Sequence, residues 1–293
     1  MKKDLYQEIT NKIIEELENG IIPWRKPWTG VTSGAISHTT GRPYSIINQY
    51  LLRKPGEYIT FNQAKKEGGR IKKGAKAQFI VFWKVSGKQV LNDDGTPATD
   101  EEGNPVIKGY PILKYYNVFH IDDCEGIESK YSNGELPKSA EADAEAERIF
   151  NDYIGREKIT FRNIRGDKAC YSPMLDSIEL PLMDQFAETS EYYSTLFHEA
   201  THSTGHKSRL NRFGSSTAAA AFGSEEYSKE ELTAEIGSAC ILHEIGMETP
   251  QTFKNSAAYI QSWLRALKND KKMIIGAAAR ADKAVKMILN VQD

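Results

Sequence analysis

Two histidines four residues apart with a glutamate beside the first, His198-Glu199-Ala200-Thr201-His202, narrow most sharply what this chain can become. The HExxH spacing demands a helix, because residues i and i+4 lie one above the other on a helical face. Both imidazoles then reach a single ion at about 2 Å, and neutral nitrogen donors suit Zn²⁺. Glu199 is placed to take a proton from water that the metal acidifies. The surroundings fit a helix: SEYYSTLFHEATHSTGH puts Leu196, Phe197 and Ala200 on an apolar side, and Gly205 is a candidate stop.

HExxH also arises by chance, and a catalytic zinc needs a third protein ligand. Two candidates stand downstream. His206 continues the series at i+4, although beyond Gly205 its direction is open. Glu231 and Glu235 share one face of a second helix, YSKEELTAEIGSACILHEIG, beside apolar Leu232 and Ile236. We favour Glu231 as the ligand. Glu235 is the alternative ligand and the residue expected to hold a ligand histidine by hydrogen bond. One Zn²⁺ is the expected cofactor, with Mn²⁺ among the divalent ions the same donors accept. Asp176, Glu179 and Asp184 are expected at the surface or in turns. His243 is expected to be structural, and Tyr259 a packing residue rather than an oxyanion donor. Three short strand-like runs, KITFRN, DKACYS and DSIELPL, precede the motif, and the last is expected to form the edge strand of a substrate cleft. Two helices, about 255–268 and 271–289, finish the chain.

The first half has another character. Leu5, Ile9, Ile13, Ile14 and Leu17 recur at helical spacing, with Gly20 as a stop. GRPYSIINQYLL predicts a turn and a short helix. The stretch from Glu57 to Val85 reads as strand, helix, Gly-rich turn and strand. QFIVFWKV and ILKYYNVFHI are strongly β-prone, and the acidic, turn-rich stretch 92–106 between them predicts the tip of a long hairpin. A polar stretch, 125–137, reads as a linker, after which Ser139 is a candidate N-cap. The boundary falls near 128–138, giving domains at 1–130 and 138–293.

Net charge is −2, so the whole molecule is no polycation, yet Lys54 to Lys88 holds nine Lys or Arg against Glu57 and Glu67. Aromatic residues lie among or near them: Trp24, Trp28, Tyr44, Tyr58, Phe61, Phe79, Phe82 and Trp83. A basic groove with stacking surfaces is how single strands are held without reading their sequence. The candidate DNA contacts are Arg70, Lys72, Lys73 and Lys76 in GGRIKKGAK, and Trp24, Arg25 and Trp28 in WRKPW. Three scattered cysteines with no CxxC pair argue against a disulfide framework or a thiolate zinc finger. The N-terminal segment lacks the apolar core of a signal peptide, and no run approaches the roughly 20 apolar residues of a membrane span. A cytoplasmic protein with no membrane partner is expected.

Taken together, PMLDSIELP, Phe186, YYSTLFHEATHSTGHKSRLNR, EELTAEIGSACIL and AAYIQSWL resemble the metallopeptidase domain of ArdC-type antirestriction proteins. PWRKPW, GRPYSIIN, YITFNQAKKEGGRIKKGAKAQFIVFW and YYNVFHID resemble that family's N-terminal domain. The resemblance spans nearly the whole chain. It implies an α+β protein: a small α+β domain that binds single-stranded DNA, then a zincin-like α+β metallopeptidase domain. It also implies metal ligands His198, His202 and Glu231 with Glu199 as general base. The implied role is to protect the incoming DNA of conjugative plasmids and related elements from restriction. Two other functions fit the residues: a zinc peptidase whose first domain recruits a protein substrate, and a DNA-binding protein with a non-catalytic zinc. The acidic insertion Asp93–Asn104 has no clear place in the family pattern.

Overall fold

A computed structural model describes residues 4–25, 34–52, 54–131, 139–213, 225–247 and 253–292. Its first half holds α1 (Leu5–Glu18), β1 (Ala35–Ser37), α2 (Ile46–Leu51), β2 (Gly56–Ile59), α3 (Phe61–Lys66), β3 (Arg70–Ile71), β4 (Gln78–Gln89), β5 (Ile107–His120) and β6 (Cys124–Glu125). Its second half holds α4 (Ser139–Glu157), β7 (Thr160–Ile164), β8 (Cys170–Ser172), β9 (Ser177–Pro181), α5 (Thr189–Ser203), α6 (Glu225–Glu244), α7 (Phe253–Asn269) and α8 (Met273–Leu289). The α+β class is as expected.

The local chemistry of α1 is plain. The Asp4 side chain accepts from the Gln7 amide at the first turn. Ile9, Ile13 and Leu17 are buried on one stripe, and Gly20 ends the helix with φ +76°. In α3, Thr60 and Gln63 form a reciprocal capping box. The expected hairpin is present: β4 and β5 pair antiparallel from Gln78↔Val118 out to Gln89↔Ile107. They belong to a four-stranded sheet in the order β1-β2-β5-β4, with β1 parallel to β2. The base of this sheet lies between two apolar clusters. Phe79, Val81 and Leu113 join the large core, whereas Ile80 and Val118 join a small one with Ala35, Leu52 and Tyr58.

The large core runs through both halves. It takes Ile9, Ile13, Leu17, Ile46 and Tyr50 from the first half and Phe150, Leu196, Ile236, Ile274 and Val285 from the second. Polar contacts follow the same seam. The Thr10 hydroxyl donates to the Lys271 carbonyl at 2.8 Å, and the Ile46 amide donates to Asp282 Oδ1 at 3.2 Å.

In the second half a three-stranded sheet has the order β7-β9-β8, with β7 parallel and β8 antiparallel to β9. This corrects the expected edge: DSIELPL forms the central strand, and β8 from DKACYS is the edge beside α5. Four of the five β9 residues are buried, as suits a strand covered on both faces. α4 starts at Ser139 itself, so that residue is not a cap preceding the helix, and its side chain lies outside the described residues.

Candidate metal centre

α5 carries His198 and His202 on the face turned to α6 and Glu199 toward β8, while Leu196, Phe197 and Ala200 are buried in the core. The two helices can approach because of Gly237. A Cβ there would meet the Thr201 Cγ2 and Oγ1 atoms at 2.7 Å. That contact brings the first half of α6 to the histidines. His198 Nε2 and His202 Nε2 lie 3.1 Å apart. The Glu231 carboxylate faces both, with Oε2 3.5 Å from His198 Nε2 and Oε1 3.5 Å from His202 Nε2. Among the described residues, His198, His202 and Glu231 form the one group of three or more donors with metal-site spacing. A tetrahedral ion with bonds of about 2.0–2.2 Å separates its ligands by about 3.3–3.6 Å. The triangle of donors fits that spacing, and two imidazoles with one carboxylate is a donor set of open, catalytic zinc sites.

The other acidic groups brace this triangle. Glu230 Oε1 lies 3.3 Å from His202 Nδ1, and Glu235 Oε1 lies 3.9 Å from His198 Nδ1. Sequence reasoning named Glu235 and missed Glu230, which makes the closer contact. Glu230 is gripped by Arg212, whose Nε donates to Oε2 at 3.0 Å and Nη2 to Oε1 at 2.6 Å. Arg212 also donates to the Thr204 hydroxyl at 2.6 Å and the Thr201 carbonyl at 2.8 Å. It therefore ties the end of α5 to the start of α6. Burial opposes a charge on His202, but the Glu230 and Glu231 carboxylates outweigh it and push its pKa up to about 10. His198 is raised against burial in the same way, chiefly by Glu231. Burial would raise the Glu231 carboxyl, yet the two imidazoles hold it well below the usual carboxylate range. The cluster is thus built around positive charge.

Glu199 is buried, and its Oε2 accepts the Tyr171 amide of β8 at 2.7 Å. The edge strand thereby fixes the expected base. The Tyr171 hydroxyl donates to Asp176 at 2.8 Å, and Arg209 clamps Asp176 through both oxygens. Burial and then the Asp176 carboxylate push the Tyr171 pKa well up, so the hydroxyl stays protonated. Asp176, expected as a plain turn or surface residue, is a turn residue with φ +45° that anchors this network. Asp184 is the exposed residue expected, paired with Arg165 at 2.8 Å. His206 does not join the triangle. The helix ends at Ser203, and His206 Nδ1 turns to the Ser208 hydroxyl at 2.7 Å. His243 is buried, which pulls its pKa down to about 4, in keeping with a structural residue. The Tyr259 side chain lies outside the described residues.

The expected DNA contacts divide. Trp24 is fully buried and packs edge-on against Trp263 at 5.0 Å, so no base can stack on it. This is a correction: the indole belongs to the core. Trp28 and the Arg25 side chain lie outside the described residues. Arg70 is paired with Glu125, its Nε donating at 2.6 Å, and Lys72 donates to the Asp122 carbonyl at 2.7 Å. Lys73 and Lys76 are exposed.

An HExxH helix, a glutamate helix across from it and a small sheet with an antiparallel edge strand define a zincin-like protein. Residues 144–280 match the family described as zincin-like metallopeptidase, and residues 3–119 match the N-terminal domain of anti-restriction factor ArdC. The crystal structure of the antirestriction ArdC protein from the R388 plasmid, in its metal-free form, is 34% identical, with a TM-score of 0.72 over 99% of this chain and 100% of that one. Its Mn(II)-bound form gives 0.70 at 34% identity, over 98% of each chain. The chain belongs to the ArdC antirestriction family. Two Escherichia coli proteins described as DNA primase TraC are 34% and 35% identical over 99% and 96% of this chain. The chain spans 27% and 20% of their lengths. No helix among the described residues is long and apolar enough to cross a membrane.

Proposed function

We propose that this chain is an antirestriction protein that binds single-stranded DNA through its first half and hydrolyses peptide bonds at the His198, His202 and Glu231 centre. The observation that carries the peptidase reading is the triangle of donors with a buried carboxylate, Glu199, held beside it by an edge-strand amide. His198, His202 and Glu231 would hold one divalent ion. Zn²⁺ is the resident metal on this reading, and the Mn(II) form of the R388 relative supports a site that also takes Mn²⁺. When bound, such an ion supplies Lewis acidity, which polarises a carbonyl and lowers the pKa of water.

The rest falls to the chain's own side chains. Glu199 takes the proton of the attacking water and returns it to the leaving amide nitrogen. The Tyr171 amide keeps Glu199 from swinging away. Glu230, steadied by Arg212, orients His202 through Nδ1 and leaves Nε2 toward the metal. β8, as an edge strand, offers main-chain groups to an extended peptide laid along it. Glu199→Gln should retain the metal and abolish cleavage of a labelled unfolded protein. Cleavage at the parental rate by that variant would remove Glu199 from the mechanism. For the first half, the reading predicts tighter binding to a single-stranded oligonucleotide than to its duplex, with steep salt dependence in titrations.

A further inference from the structure

The geometry points to the outer face of the β4–β5 ribbon as the surface on which a single-stranded polynucleotide lies; this rests on the DNA-binding reading above. The pairing register decides which side chains share a face. Phe82↔Lys114, Ser86↔Tyr110 and Lys88↔Lys108 are cross-strand partners, and Lys84 and Tyr116 fall on the same side. That face carries Lys84, Lys88, Lys108 and Lys114 with no acidic residue between Gln78 and Gln89 or between Ile107 and His120. None of the four ammonium groups is paired with a carboxylate among the described residues.

Two features of this face make poor sense for a ribbon meant only to fold. Lys88 and Lys108 stand directly opposite one another, and like charges in that position destabilise a sheet. Lysine on a free edge guards against stray pairing, and β5 has such an edge from Ile107 to Val118, where it pairs with β4 alone, but that role does not call for two lysines face to face. The aromatic groups are also outward. Phe82 and Tyr116 stack with centroids 4.7 Å apart and planes 6° apart, while Tyr116 is 55% and Tyr110 43% exposed. A polyanion relieves the lysine repulsion, and its bases can extend the ready-made stack. The Gly-rich turn competes less well. Its Arg70 is neutralised by Glu125, its Lys72 is engaged by the Asp122 carbonyl, and nearby Lys54 pairs with Asp122. The ribbon tip, with Asp93, Asp94, Asp100, Glu101 and Glu102, repels phosphate and confines the strand to the paired part of the ribbon, short of the tip.

The test uses the full chain and a fluorescent oligothymidylate, with anisotropy read across salt concentrations. One variant replaces Lys84, Lys88, Lys108 and Lys114 by Gln together. A second is Tyr116→Ala, and a third replaces Lys72, Lys73 and Lys76 by Gln. Thermal melting and divalent metal content serve as folding controls. The first variant should lose affinity and lower the salt slope by about 3, at roughly 0.7 per phosphate contact. The second should weaken binding roughly 10-fold with an unchanged slope, and the third should stay nearer the parent than the first. If the parent binds while the ribbon variants match it in affinity and slope, the ribbon assignment is overturned and the DNA-binding reading stands. If the parent itself fails to bind single-stranded DNA, both fall.

Discussion

At the scale of single residues, the triangle of candidate ligands rests on charges placed one layer behind it. His198, Glu199 and His202 were legible because the chemistry fixes both residue type and spacing. Glu231 was reachable because a helix of the right phase carries it. Glu230 and Arg212 were not, since their contacts with His202 and with each other depend on tertiary placement across 28 and 18 residues. Glu230→Gln should weaken metal binding roughly 10–100-fold, as expected when a partner behind a ligand histidine is lost; competition against a chelating dye measures it. An unchanged affinity would make Glu230 a mere neighbour. A second buried carboxylate acts on stability instead. Burial works against ionised Glu57, but the Ser129 hydroxyl, the Tyr131 and Lys130 amides and His38 hold its pKa down to about 2. A depressed carboxyl stabilises the fold above its unfolded value of 4.5 and loses that contribution as pH falls toward 2. The shift corresponds to about 3 kcal/mol. Glu57→Gln should therefore melt lower at pH 7, and the gap from the parent should close between pH 4.5 and 2. A gap that persists at pH 2 would contradict this origin.

At the scale of elements, helices were the easiest to read and strand order the hardest. The apolar spacing of α1 and the HExxH helix reported a face directly. The order β7-β9-β8 was hidden because β8 has three residues and pairs with a strand that follows it closely in sequence. The clue in the sequence was the nearly unbroken burial-prone run Ile178, Leu180, Pro181, which suits a central strand better than an edge. The α5–α6 contact at Gly237 left no trace in periodicity either, since a glycine inside a helix reads only as a weak point. Gly237→Ala should cost about 1–3 kcal/mol from overpacking against Thr201 and also weaken metal binding. Adding Thr201→Ala should restore part of both losses, so the pair is non-additive in a double-mutant cycle. Strict additivity would mean that the two helices do not meet there.

At the scale of the whole molecule, the two stretches matched by separate families share one apolar core. The first half lays Ile9, Ile13, Leu17 and Trp24 into it, all buried, and α1 and α2 meet α7 and α8. Chain length and the polar stretch 125–137 suggested two domains, and neither shows how much surface two halves bury together. The shared core predicts a single cooperative thermal transition in calorimetry, and it predicts that residues 1–131 alone expose these side chains and bind a hydrophobic dye. Two well-separated transitions would contradict it. In such a molecule the β4–β5 ribbon, the proposed DNA surface, and the candidate metal centre belong to halves joined by one core. The proposal as a whole depends on the centre holding an ion. Elemental analysis of the purified chain beside Glu199→Gln, His198→Ala and Glu231→Ala tests that most directly. The account predicts about one divalent ion per chain in the parent and in Glu199→Gln, and its loss in the other two variants. Retention of the ion by Glu231→Ala at parental affinity, or no ion bound by the parent in excess Zn²⁺ or Mn²⁺, would contradict it.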